Sequence, residues 1–135
     1  MTPATTSLIT GTDFLALGTR DIDGAVAFYG DVLGLPELKR WGNMPGVEFE
    51  TGNLTLAVMQ SDAFGIEFQA TSHPLEFHVD DFDAAKAELE SRGVEFQGDT
   101  LDSGVCKQAF FRDPDGNMLA IHHRYAPGAP PPAQE

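Results

Sequence analysis

The chain has 135 residues, 41% of them apolar, with 21 acidic against eight basic side chains, a formal net charge of −13 and one cysteine. This length suits one domain that buries about two-thirds of its unfolded surface and needs neither disulfide nor metal merely to fold, and the lone Cys106 excludes an intrachain disulfide. The charge opposes long-range attraction to nucleic-acid phosphates and anionic membranes and favours a cationic ligand, and with no secretion-like start or membrane-length apolar run, a cytoplasmic protein is expected.

The first predicted element is a mostly buried strand at Asp13–Gly18, an apolar run of strand length. A helix follows. Thr19, Asp21 and Asp23 offer oxygens to the free amides of its first turn, Val26, Tyr29, Val32 and Leu33 recur at helical spacing, and Gly34 suits its end. Beyond Pro36, three strand-like runs are predicted at Leu38–Trp41, Val47–Thr51 and Leu54–Gln60, separated by Gly/Pro/Asn-rich turns at 42–46 and at Gly52-Asn53. The order is βαβββ.

After a loop over 61–72 the order repeats, with a strand at Leu75–Val79, a helix near Asp83–Arg92, and strands near Val94–Gly98, Val105–Phe111 and Met118–His123. Leu15-x-Leu17 corresponds to Leu75-x-Phe77 and Asp21-Ile22-Asp23 to Asp81-Phe82-Asp83, each pair sixty positions apart. Gly52-Asn53 reappears as Gly116-Asn117 inside Asp113-Pro114-Asp115-Gly116-Asn117, whose Pro and Gly suit a tight hairpin turn. A single domain over 8–125 is expected, with halves at about 12–60 and 73–124. Residues 126–135 hold four prolines and little that can pack, and a disordered tail is expected there.

The run from Asp21 to Leu35, DIDGAVAFYGDVLGL, together with Asp113-Pro114-Asp115-Gly116-Asn117, resembles the first-helix and final-hairpin signatures of the vicinal oxygen chelate superfamily, the glyoxalase, bleomycin-resistance and dioxygenase-like proteins. The resemblance spans about residues 12–124. It implies an α+β fold of two tandem βαβββ modules whose sheets curve around a central cleft, with helices outside. Strand alternation then assigns sides. With Leu15, Leu17, Leu75, Phe77, Val79, Leu119 and Ile121 toward the helices, Phe14, Ala16, Gly18, Pro74, Glu76, His78, Ala120 and His122 are expected to face the cleft.

Metal-using members of this superfamily place ligands at four equivalent inward positions. Here those positions align with Phe14, Pro74, Ala120 and either Thr55 or Ala57, none of which is a customary ligand. No cofactor is therefore expected, and the metal-dependent activities of glyoxalases and dioxygenases do not carry over by resemblance alone. A divalent cation held instead by Glu76, His78 and His122 is the alternative, since two imidazoles and a carboxylate form a known ligand set. The same three groups are candidates for general acid/base work, or for plain hydrogen bonding inside a pocket. His73 is expected in the loop before Pro74, and His123 away from the cleft.

A ligand-binding surface is predicted from Phe14, Ala16, Trp41, Met59, Glu76, His78, Cys106, Gln108, Ala120 and His122, an apolar and aromatic setting with a few polar groups. Cys106 is expected to be an inert thiol, because its neighbour Lys107 points to the other face of the strand. No phosphate loop, nucleophile elbow, paired-Cys zinc pattern or basic stripe is present. Two functions compete. One is a metal-free protein that binds a small organic molecule, similar to bleomycin-resistance proteins, which hold a cationic drug at the interface of acidic dimers; on that resemblance a homodimer is expected. The other is a lyase, isomerase or dioxygenase that uses His78, Glu76 and His122.

Overall fold

The computed structural model describes residues 7–126. The first half comprises β1 (Phe14–Thr19), α1 (Ile22–Val26) running on into a π-helical stretch (Ala27–Val32), β2 (Glu37–Arg40), β3 (Gly46–Glu50) and β4 (Thr55–Gln60). The second half repeats this with β5 (Leu75–His78), α2 (Phe82–Ser91), β6 (Gln97–Asp102), β7 (Cys106–Arg112) and β8 (Met118–Arg124). Each half forms a four-stranded sheet, ordered β1-β4-β3-β2 in one and β5-β8-β7-β6 in the other. Within each, the first strand pairs parallel with the last and the remaining pairs are antiparallel, so the predicted duplication holds at the level of register.

The two helices begin alike in sequence but differently in structure. Asp81 Oδ1 accepts from Ala84 N at 3.1 Å and caps α2, whereas Asp21 makes no side-chain cap. There Thr19 Oγ1 accepts from Asp21 N and Gln60 Oε1 from Ile22 N, the first amide of α1, each at 3.1 Å. Gly34 adopts φ +76°, and Leu35 N donates to Tyr29 O at 3.0 Å, which satisfies the carbonyls at the end of the first helix as the glycine predicts. The widened turn presents consecutive residues to different partners: Tyr29 packs on Phe49 of the first sheet (6.1 Å between rings), Phe28 on Phe111 of the second (6.4 Å). One core therefore joins Leu17, Val47, Phe49, Leu56 and Val58 to Phe82, Leu89, Phe111, Leu119 and Ile121.

Three sequence expectations need correction. The strand predicted near Val94–Gly98 lies at Gln97–Asp102, because Val94 is buried in the core without joining a ladder and the true strand is an exposed edge with no apolar alternation. The loop at 61–72 includes a short 3-10 turn, Ser61–Phe64. Ala126, expected in a disordered tail, donates its N–H to Val105 O at 3.3 Å; the rest of that expectation, 127–135, lies outside the described residues. No helix among the described residues is long and apolar enough to cross a membrane.

Candidate functional site

Residues paired across neighbouring strands point to the same side of a sheet. Register therefore fixes the inward rows. Ala16, Ala57 and Glu48 share one row of the first sheet, and Glu76, Ala120 and Phe110 the matching row of the second. Because Ala16 and Glu76 hold the same place in the repeat, Ala57 rather than Thr55 is the counterpart of Ala120. The four positions at which the resemblance implies metal ligands are thus Phe14, Pro74, Ala57 and Ala120. None carries an atom that coordinates a divalent cation, and Ala57 and Ala120 are 1% and 0% exposed. These residues do not fit the metal.

The predicted ligand-binding residues are placed unevenly. Phe14 is 55% exposed and Ala16 is open to solvent, while the buried Ala120 presents no surface to a ligand. Trp41 lies with its ring against Gly46, where a Cβ would overlap the indole; its Nε1 donates to Glu48 Oε2 at 2.7 Å, and Phe64 meets it edge-on. Met59 shares that row with Gly18 and Gly46. On the second sheet, Gln108 Nε2 donates to Glu76 Oε1. Cys106 is half-buried, and its neighbour Lys107 reaches away to Asp83 and the Phe82 ring.

His78 ends β5. Its Nε2 stands 2.9 Å from Asp80 Oδ1, its side chain is 68% exposed, and its ring lies 5.9 Å from that of His123, which belongs to the opposite face and is fixed by an Nδ1 contact of 2.8 Å to Val79 O. His122 is half-buried beside His78 in register, and His73 sits exposed in the loop. Among the described residues no three His, Cys, Asp or Glu side chains converge closely enough to hold one metal ion, so Glu76, His78 and His122 form no ligand cluster in this conformation.

The two halves meet at two junctions related by the internal repeat. At one, the turn between β7 and β8 packs on the end of β1. Asp113 accepts from Tyr29 OH (2.6 Å), Asn117 Nδ2 (2.8 Å) and the Asn117 and Asp115 amides (both 2.9 Å). Asn117 Nδ2 also donates to Gly18 O at 3.0 Å, Thr71 N donates to Asn117 Oδ1 at 2.9 Å, and Thr19 Oγ1 and the Arg20 N–H groups donate to Asp115. Asp113 and Asn117 are both buried, and every donor here finds a carboxylate or carbonyl, as burial requires.

Burial, then the charge of Asp113 and the hydrogen bond to it, push the Tyr29 phenol well above its ordinary value. A group whose folded pKa is raised contributes stability that is complete below its unfolded pKa, about 10 for tyrosine, and is lost as pH rises beyond it. Wild-type protein is therefore expected to lose melting temperature more steeply than Tyr29→Phe above about pH 10. Equal slopes in paired melts across that range would show that Tyr29 does not hold its proton at this junction.

The other junction is open. The turn between β3 and β4 faces the end of β5, yet among the described residues no hydrogen bond joins 51–55 to 75–80. A cavity of about 520 Å³ lies between them, bounded by Leu15, Thr51, Asn53, Leu75, Glu76 and His78, and a second of about 260 Å³, which shares Thr51, Phe77 and His78 with it, is lined by Leu35, Leu89, Phe111 and Ile121. Leu15, with the same strand parity as the buried Leu17, is 38% exposed and lines this cavity. Alternation alone missed Thr51 and Asn53, although the repeated Gly-Asn turns were a usable signal. Read as a pair, they set a turn rich in carboxylates against one with none.

The sequence profile of the Glyoxalase/Bleomycin resistance protein/Dioxygenase superfamily matches residues 11–121. Among solved structures, a glyoxalase/bleomycin resistance protein/dioxygenase from Nocardioides is 25% identical with a TM-score of 0.73, over 96% of this chain and 92% of that one. A glyoxalase family protein from Bacillus anthracis (23%, TM-score 0.75) aligns over 89% of this chain and 99% of that one. The antibiotic binding protein TnmS3 from Streptomyces (23%, TM-score 0.73) aligns over 87% and 98%. No curated protein matches the chain. The profile covers both halves of a tandem βαβββ architecture that these structures share, and the chain belongs to the Glyoxalase/Bleomycin resistance protein/Dioxygenase superfamily.

Proposed function

We propose that this chain is a metal-free binding protein for a small organic compound, aromatic or cationic in character. The observation that carries the reading is the occupancy of the four chelating positions by Phe14, Pro74, Ala57 and Ala120, which leaves the superfamily's fold without its usual Lewis acid. The net charge of −13 draws cations toward it, and Phe14 and Trp41 supply aromatic surface. The fold shared with antibiotic-binding TnmS3 supports the same class of role. The protein works as one domain over 8–125, in the cytoplasm and as a homodimer; exposed Leu38 and Leu101 on the outer strands β2 and β6 favour the pairing.

Protein purified without chelator is expected to contain no stoichiometric iron, manganese, nickel or zinc by elemental analysis. In thermal melts against a panel of organic compounds, cationic aromatics are expected to raise the melting temperature without being consumed. Stoichiometric metal would overturn the metal-free reading. Turnover lost in His78→Ala or His122→Ala would replace binding by catalysis.

A further inference from the structure

The internal repeat makes each junction a control for the other. At the closed one, Asp113, Asp115 and Asn117 fill the space between the halves and satisfy the donors of β1 and the first helix. At the open one, the sixty-residue offset puts Val79, Asp80 and Leu89 where Thr19, Arg20 and Tyr29 stand, so the donors themselves are gone. The turn that faces them carries Thr51, Gly52 and Asn53. What remains is a cavity of about 520 Å³, within the range of about 300–1,000 Å³ that encloses small organic ligands. Its walls are mixed in a useful way. Leu15, Leu75 and Phe77 supply apolar surface, Thr51 and Asn53 polar groups from the β3–β4 turn, and Glu76 and His78 the titratable groups from β5.

Glu76 is held for use. Gln108, one strand beyond β8, donates to its Oε1, which fixes the carboxylate while leaving Oε2 with no protein donor among the described residues. The other titratable group on the wall, His78, is turned toward Asp80 and offers no competing cation to Glu76 by direct contact. A carboxylate oriented by a neutral amide on the wall of a partly apolar cavity selects a ligand with a positive hydrogen-bond donor and a hydrophobic body.

We infer that the open junction is a binding site for an organic monocation, its apolar body against Leu15, Leu75 and Phe77 and its ammonium group on Glu76. The inference deepens the binding reading above, adding where the compound sits and which charge it carries. The ligand bridges the two halves at the place where the repeat lacks its polar seam. Binding therefore stabilises the fold as well as filling a pocket.

The test uses the full chain and dansylcadaverine, a naphthalene fluorophore on an alkylammonium chain, beside its N-acetylated neutral form. Fluorescence titration is expected to show saturable binding of the ammonium form, roughly tenfold tighter than the acetylated form, with the difference shrinking as salt is raised. Glu76→Gln, at an exposed position, is expected to abolish that preference. Asn53→Trp, at the exposed rim, is expected to weaken both forms together.

No saturable binding of the ammonium form up to about 1 mM overturns the inference. So does equal affinity for the two forms, or indifference to both substitutions. If binding survives Glu76→Gln and Asn53→Trp but is lost in Ala16→Phe, the compound lies on the inward face of the first sheet. The junction site then falls while the binding function stands. If the wider compound panel also yields no ligand, both fall.

Discussion

Asp113→Ala is expected to cost about 3–5 kcal/mol of stability and to lower the melting temperature by roughly 10–20 °C, because one substitution strands four donors around a buried site. The Asp113 carboxylate is the acceptor for Tyr29 OH, Asn117 Nδ2 and two turn amides. Tyr29 and Asn117 are fully buried, and no bulk water can replace what the alanine removes. The repeat supplies the matched control. Asn53 corresponds to Asn117 but is exposed and makes no side-chain hydrogen bond among the described residues, so Asn53→Ala is expected to lie within about 0.5 kcal/mol of wild type. Asn117→Ala, which loses contacts to Gly18, Thr71 and Asp113, is expected to fall between the two. Urea unfolding of the three variants measures this order. A loss below about 1 kcal/mol for Asp113→Ala would mean that the turn does not fasten the halves together.

That asymmetry also marks how far the sequence could be read. The duplication was visible because alternation in Leu15-x-Leu17 and Leu75-x-Phe77, the acidic helix starts and the Gly-Asn turns recur in order. These are local, periodic signals that depend on few neighbours. The outward assignment held on β8, which is paired on both sides: Leu119 and Ile121 are in the core, and on β7 Lys107 turns from Cys106. It gave less at strand ends. His78 has inward parity, yet its ring leaves the row for Asp80 and lies near His123, because the last residue of a strand has no neighbour beyond it to hold the side chain in line. The edge strand β6 was misplaced for a related reason, its residues being exposed on both faces and so without a period to detect. The network around Asp113 joins residues up to 99 positions apart, and no spacing rule along the chain could have announced it.

Phe111→Ala carries the other large effect, and it tests the open junction from beneath. Phe111 is fully buried, with Phe96 edge-on at 5.4 Å and Phe28 of the first helical segment at 6.4 Å, so it ties the second sheet to the first half. Truncation removes both aromatic contacts and leaves a void, a loss of about 3–5 kcal/mol. Phe110, one residue away and half-buried on the inward face, offers the comparison; alternation predicts a smaller loss for Phe110→Ala, on the order of 1 kcal/mol. The void in Phe111→Ala would open into the cavity of about 260 Å³ bounded by Leu35, Leu89 and Ile121. An enlarged apolar chamber of that kind takes up small aromatic guests, so millimolar benzene is expected to recover part of the lost melting temperature in Phe111→Ala and to do little for Phe110→Ala. A benzene response equal in both variants would place the void away from the junction. Because that cavity shares Thr51, Phe77 and His78 with the site at Glu76, the same substitution is expected to change dansylcadaverine affinity, whereas Phe110→Ala leaves it near wild type, and the two titrations together separate loss of packing from a change in the pocket.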